Sequence, residues 1–318
     1  MRHYTTRSTQ TQDAGVLFGS PDESGYVRTG ATRTDERRGM SLTQKLSGCV
    51  ELTRPGNVVA ASFLTFIGAF VAGGLSVSPL NVALAIAATG LATGAGNAIN
   101  DYFDREIDAV NRPDRPIPSG RVSPRETLVF SIALFFGAVT AALLLPIEAI
   151  IIAVINLLAL LAYTELFKGL PGVGNVIVGY LTGSTFLFGG AAVGEPFGAI
   201  ILFFLAAIAT VTREIVKDVE DIDGDRKENL RTLPIVIGER PALWVGTGAI
   251  VLGVAASVIP YVTETFGLIY LLAIIPADIV MLWATYRSFS DPTVGQKYLK
   301  VGMLLAAVAF LLGRLGGV

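Results

Sequence analysis

Two short acidic segments carry the residues best suited to chemistry in this sequence. The first runs Asn100-Asp101-Tyr102-Phe103-Asp104-Arg105-Glu106-Ile107-Asp108, and the second Lys217-Asp218-Val219-Glu220-Asp221-Ile222-Asp223-Gly224-Asp225. At 100° per helical residue, Asn100, Asp104 and Asp108 fall within about 80° of one another, on one face of one helix. Asp218, Asp221 and Asp225 share a face by the same spacing, with Gly224 marking where that helix should fray. Carboxylates crowded on one face repel each other unless a cation lies between them. The single histidine, His3, lies in a polar tail, and Cys49 is the only cysteine. Histidine acid–base chemistry, cysteine metal clusters and internal disulfides are thereby excluded. Oxygen ligands alone select a hard cation, and Mg²⁺ typically joins one or two carboxylates to a substrate phosphate.

Each acidic segment leads into a basic one. Arg112, Arg115 and Arg121 follow the first, and Arg226, Lys227, Arg231 and Arg240 follow the second. Acidic residues, a metal and cationic side chains together hold a diphosphate and neutralise it as it leaves. The two segments also resemble each other: acidic helix end, Arg, a Pro-Ile pair, Gly, Arg. That pattern suggests a parallel internal repeat with the site between its halves. A third connection carries Tyr163 and Lys168, read either as a further diphosphate contact or as an interfacial aromatic–lysine pair.

The elements that must position these residues are apolar. The chain has 52% hydrophobic and 16% charged residues among 318, far fewer charges than a soluble domain carries. Nine stretches reach bilayer-spanning length: 57–76, 80–100, 124–145, 147–167, 172–193, 196–218, 241–261, 266–287 and 297–316. Pro124, Pro196 and Pro241 stand where first helical turns begin. From Met40 onward, 17 of 18 Lys and Arg fall on one side if the N-terminus is cytoplasmic, with Arg314 the exception. The opposite connections hold Glu148, Glu195 and Glu264 and no basic residue, so an odd span count follows. Residues 1–44 read as a tail, either disordered or non-native, polar and without apolar periodicity.

With these residues in view, the chain resembles the UbiA-type intramembrane prenyltransferases over about residues 45–318. The resemblance rests on Asn100-Asp101-x-x-Asp104-x-x-x-Asp108, on Asn111-Arg112-Pro113 with Arg115-Pro116-Ile117-Pro118-Ser119-Gly120, and on Asp218-x-x-Asp221-x-x-x-Asp225. It implies an all-α polytopic fold, nine transmembrane helices around a central cavity that opens to lipid. It implies Mg²⁺ held by Asn100, Asp104, Asp108, Asp218, Asp221 and Asp225, and a prenyl diphosphate held by Asn100, Arg112, Arg115, Lys168 and Tyr163. The Tyr163-to-Lys168 spacing is one residue longer than the family's common form. Asp101, Asp104, Asp221 and Lys168 are the expected catalytic residues, with Asp101 or the product diphosphate as the base.

Within that family, Leu52-Thr53-Arg54-Pro55-Gly56-Asn57 and Arg213-Glu214-Ile215-Val216-Lys217-Asp218 look like the archaeal ether-lipid branch, the digeranylgeranylglyceryl phosphate synthases. This implies transfer of a geranylgeranyl group to geranylgeranylglyceryl phosphate, with Arg54, Asn57 and Arg213 on the acceptor. The expected setting is a multi-pass cell-membrane enzyme, its site at the cytoplasmic face, its partners a prenyl diphosphate, a lipid phosphate and membrane lipid but no nucleic acid. The alternatives are prenylation of an aromatic acceptor (quinone, chlorophyll or haem O pathways) and, from another class, ion-coupled secondary transport.

Overall fold

A computed structural model describes residues 41–73, 78–163, 167, 170–227 and 230–316. Lys168 and nearly all of the tail therefore lie outside the described residues. In chain order the helices are α1 (Leu42–Leu52), α2 (Pro55–Gly73), α3 (Pro79–Phe103), α4 (Arg105–Asn111), α5 (Pro124–Leu143), α6 (Ile147–Ala162) and α7 (Val173–Ala192). A 3₁₀ turn, Pro196–Ala199, then feeds α8 (Ile200–Glu220). There follow α9 (Ile222–Lys227), α10 (Leu233–Ile237), α11 (Glu239–Ala256), α12 (Ile259–Val262), α13 (Leu268–Arg287) and α14 (Pro292–Gly316). No strand occurs among the described residues.

Each of the nine expected stretches contains a helix, and seven of these helices are long and apolar enough to cross a membrane. The other two are the 16-residue α6 and the glycine-rich α7. Their starts are chemically specified. Ser123 and Glu126 form a capping box ahead of Pro124, which occupies the first turn of α5, and Ser78 caps α3 in front of Pro79. In the seven spans only 22–39% of the apolar window is buried within the protein, leaving the remainder to face lipid.

The glycines that lower the hydropathy of α7 allow it to pack. A side chain at Gly68 of α2 would strike the backbone of Phe186, and one at Gly189 would strike that of Thr65. Small residues that let backbones approach are the usual cement of membrane helices.

These contacts also fix direction. In the antiparallel α2–α3 pair, Thr65 meets Thr89 at 2.9 Å and the Asn97 amide donates to the Thr53 carbonyl at 2.8 Å. Helix α7 runs parallel to α2, with Gly68 at Phe186 and Ala72 at Gly190. Helix α8 runs antiparallel to α7, with Gly183 at Phe203, Gly179 at Val211 and Asn175 at Asp218. The C-terminal ends of α3 and α8 therefore emerge at the same end of the bundle, and both acidic segments with them.

One expectation is corrected here. Each acidic segment was read as a single continuous helix, but α3 breaks at Asp104 (φ −81°, ψ 3°) and α8 at Asp221 (φ −92°, ψ 5°). The second break comes three residues before Gly224. A short helix, α4 or α9, continues from each break in a changed direction. Main-chain bonding carries on through the turn, Asp108 to Asp104 at 2.8 Å and Asp225 to Asp221 at 3.0 Å, which is why helical spacing persists in the sequence. The breaks at Asp104 and Asp221 fall at corresponding places in the two similar segments.

Candidate active site

At the first break, the carboxylates are matched by arginines. Asp101 is 5% exposed and accepts from Arg54 Nη2 at 2.6 Å and from Arg115 Nη1 at 3.2 Å. Asp108, 6% exposed, accepts from the same Arg115 nitrogen at 2.5 Å. Arg115 thus bridges two buried carboxylates from the loop behind α4. Asp101 thereby holds both Arg54 and Arg115 at the break. Arg54 adopts φ 50° in the link between α1 and α2, a conformation that a non-glycine residue holds only where its surroundings enforce it. Arg54, Asp101, Arg112 and Arg115 line one polar pocket with Glu51 and Pro116. Asn100 and Asp104 stay exposed at the break, and Asn57 is exposed in the first turn of α2.

Around the second break the balance is different. Asp218 accepts from the Asn175 amide at 2.7 Å, a neutral partner. Asp221 is largely exposed, and Asp225 Oδ2 is buried without a hydrogen-bond partner. Among the described residues no Lys or Arg lies within ion-pair distance of Asp218, Asp221 or Asp225. Partial burial pushes the Asp221 carboxyl above its ordinary range; Lys217 opposes this, and the charges of Glu220 and Asp225 reinforce it. Tyr163, which closes α6, lies within electrostatic reach of Glu214, Asp218 and Asp225. Arg213 pairs with Glu214 at 2.5 Å and approaches Gln296 of α14 at 3.4 Å, while its Nε is buried without a partner. Glu220 accepts from Thr293 at 2.8 Å and Gln296 at 2.7 Å, pinning the end of α8 to the start of α14.

The donor set suits Mg²⁺. It is oxygen only, and Asp225 presents a buried oxygen with nothing to satisfy it. Among the described residues no three carboxylates converge closely enough to cage an ion by themselves, as expected where substrate phosphate supplies part of the shell. No hydrogen bond or ion pair joins Arg54 and Asn57 to Arg213 among the described residues, so the expected acceptor residues divide between the two breaks. Sequence reading assigned no role to Asn175, Gln296 or Thr293. The only local signal was a polar side chain in the first turn of a span.

Deeper in the bundle lies an apolar cavity of about 70 Å³, partly open to its surroundings, between α2, α7, α8, α11, α13 and α14. Acidic and basic groups at one end of the bundle thus stand over a hydrocarbon-lined chamber. That combination accommodates a molecule with a phosphorylated head and an isoprenoid or alkyl tail.

Comparison with known proteins gives the same picture. Residues 61–312 match the UbiA prenyltransferase family. The digeranylgeranylglyceryl phosphate synthase of Natronomonas pharaonis is 66% identical over 273 residues, covering 86% of this chain and 98% of that protein. The synthase of the same name from Halobacterium salinarum is 54% identical over 268 residues, covering 84% and 97%. A structure solved in a study of digeranylgeranylglyceryl phosphate synthase in membranes is 37% identical, with a TM-score of 0.75 over 86% of this chain and 99% of that one. A UbiA homologue from Archaeoglobus fulgidus, bound to GPP and Mg²⁺, shares the fold at 18% identity and a TM-score of 0.61, over 83% and 98% of the two chains. The chain belongs to the UbiA prenyltransferase family.

Proposed function

We propose that the protein transfers a geranylgeranyl group from geranylgeranyl diphosphate to the free hydroxyl of geranylgeranylglyceryl phosphate, forming the second ether bond of an archaeal membrane lipid. The observation that carries this reading is the pair of acidic breaks at one end of the bundle, the first with arginines on its buried carboxylates and the second with Asp218, Asp221 and Asp225 outside any ion pair among the described residues, together with an apolar cavity deeper in the bundle. High identity to synthases of that name, along nearly their whole length, supports the acceptor.

In the reaction the allylic C1–O bond breaks and its electron pair leaves with the diphosphate. The acceptor oxygen bonds to C1, and its proton passes to the departing diphosphate or to solvent. Asn100, Asp104, Asp218, Asp221 and Asp225 would hold Mg²⁺, with the second oxygen of Asp108 as a further ligand; bound there, the ion would neutralise the leaving group. Arg112, the free N–H groups of Arg115, Tyr163 and Lys168 bind the diphosphate. Arg54, Asn57 and Arg213 hold the acceptor phosphate and glycerol. Preorganised charge of this kind is usually the largest catalytic term, and apolar walls keep water from quenching the allylic cation.

The membrane reading places nine crossings, the N-terminus and the site on the cytoplasmic side. Its support is the one-sided distribution of Lys and Arg. The exposed stripe Leu42, Leu46 and Val50 of α1 would then rest in the interface.

The test is an assay of purified protein with radiolabelled geranylgeranyl diphosphate and a panel of acceptors. Label should enter geranylgeranylglyceryl phosphate; efficient prenylation of 4-hydroxybenzoate instead would overturn the lipid assignment.

A further inference from the structure

The seam between α8 and α14 changes from apolar to cationic along its length. On α8, Leu202, Ala206 and Ala209 line the apolar cavity, and Arg213 is the next residue of the same helical stripe. On α14, Phe310, Ala307 and Met303 line that cavity, and Lys300 and Gln296 continue their stripe. The two helices run antiparallel: Glu220 accepts from Thr293 and Gln296, and the deeper Arg213 reaches Gln296 at 3.4 Å. Arg213 and Lys300 therefore stand together, each about one turn from the apolar lining.

Their charges are incompletely answered. Arg213 Nη1 pairs with Glu214, Nη2 makes only the long contact to Gln296, and Nε is buried with no partner. Lys217 approaches the same Glu214 at 4.0 Å, so two cations share that carboxylate. Glu220 is taken up by the neutral Thr293 and Gln296. Lys300 is exposed and lies within electrostatic reach of Arg213, Lys217, Glu214 and Glu220. Its ammonium makes no ion pair or hydrogen bond among the described residues. Neighbouring cations repel each other, and an anion between them turns that repulsion into attraction, the more so beside hydrocarbon.

We infer that Lys300 is a specificity-determining residue that clasps the acceptor's phosphate together with Arg213, the acceptor's hydrocarbon running on toward Ala209 and Met303. Gln296 is a positioning residue, accepting from Arg213 and donating to Glu220. A phosphate on a hydrocarbon chain satisfies both parts of the seam at once. The donor's diphosphate is claimed by Mg²⁺ and the two breaks, so the anion left for this place is the acceptor's own. The inference builds on the proposed lipid acceptor and adds a residue to its site.

The test has a binding arm and a kinetic arm. In calorimetry without donor, the wild type should bind geranylgeranylglyceryl phosphate at least about tenfold more tightly than geranylgeranylglycerol, which lacks the phosphate. Lys300→Met should narrow that preference and raise KM for geranylgeranylglyceryl phosphate about 10- to 100-fold. Its KM for geranylgeranyl diphosphate should stay within about twofold of wild type, and Lys300→Arg should keep most of the acceptor affinity. Equal binding of the two lipids by the wild type overturns the inference, whatever the variants do. A folded Lys300→Met protein with wild-type acceptor KM, or with only the donor KM raised, overturns it too. Lys300-dependent binding of geranylgeranylglyceryl phosphate by a protein that does not prenylate it would refute the proposed reaction and still support the site.

Discussion

At the end of α3, Asp101 and Asp108 are buried and share Arg54 and Arg115 between them. At the end of α8, Asp218 has an amide for a partner, Asp225 has a buried oxygen with none, and Asp221 stands partly exposed. The backbone break is the same in both, yet the electrostatic state is opposite. The first is a finished ion-pair network that shapes an arginine-lined pocket and leaves Asn100 and Asp104 to face outward. The second is a set of carboxylates without an ion pair among the described residues, where Glu220 and Asp225 repel Asp221 and Lys217 opposes them only in part. Similar backbone geometry thus carries two electrostatic states: arginines answer the buried carboxylates of the first break, and no ion pair answers those of the second among the described residues.

The largest expected effect follows from removing a carboxylate at a break. Asp221→Ala and Asp104→Ala should each lower turnover by about 10³-fold, the scale of losing preorganised charge, while membrane insertion persists. Equal turnover in wild type and both variants would remove the two breaks from the chemistry. Next in size, Arg115→Met should sharpen the contrast by acting on stability. It strands the buried Asp108 and leaves Asp101 with Arg54 alone, and breaking a buried pair costs about 3–5 kcal/mol. Thermal unfolding in detergent should show that loss, whereas Asp221→Ala should leave the apo melting temperature unchanged or raised.

Arg213→Gln tests how the two regions divide the substrates. Loss of a charge-assisted hydrogen bond, about 1.5–3 kcal/mol, should raise KM for geranylgeranylglyceryl phosphate roughly 10- to 100-fold. KM for the prenyl diphosphate should stay nearly unchanged; the reverse pattern would give Arg213 to the donor. A smaller effect is expected from pH. The raised Asp221 carboxyl favours its protonated form in the folded chain, so its contribution to stability is present at low pH and lost as pH rises through the folded pKa. Mg²⁺ competes with that proton. The Mg²⁺ concentration for half-maximal rate should therefore increase on acidification, and Asp221→Asn should flatten the dependence.

The two acidic segments were legible because helical spacing survives the breaks at Asp104 and Asp221. The breaks themselves were not, since i to i−4 bonding continues across both turns and leaves no mark in the periodicity. The counter-ions were hidden for another reason. Arg54 and Asp101 are 47 positions apart, and only the α2–α3 pairing brings them together. Asn175 reaches Asp218 in the same way, across the α7–α8 contact. Most spans could be read from hydropathy alone. Helix α7 is weaker because its glycines serve packing against α2 and α8.

The most direct test of the contrast between the two breaks is Mg²⁺-dependent thermal stabilisation in the presence of geranylgeranyl thiolodiphosphate, a slowly reacting donor analogue. Wild-type protein should gain about 2.7 kcal/mol at a hundredfold excess of Mg²⁺ over its dissociation constant. Asp225→Asn should lose most of that gain, and Asp108→Asn should keep most of it while melting at a lower temperature without metal. Retention of the full gain by Asp225→Asn, together with its loss in Asp108→Asn, would show that the metal belongs to the arginine-paired break and would contradict this account.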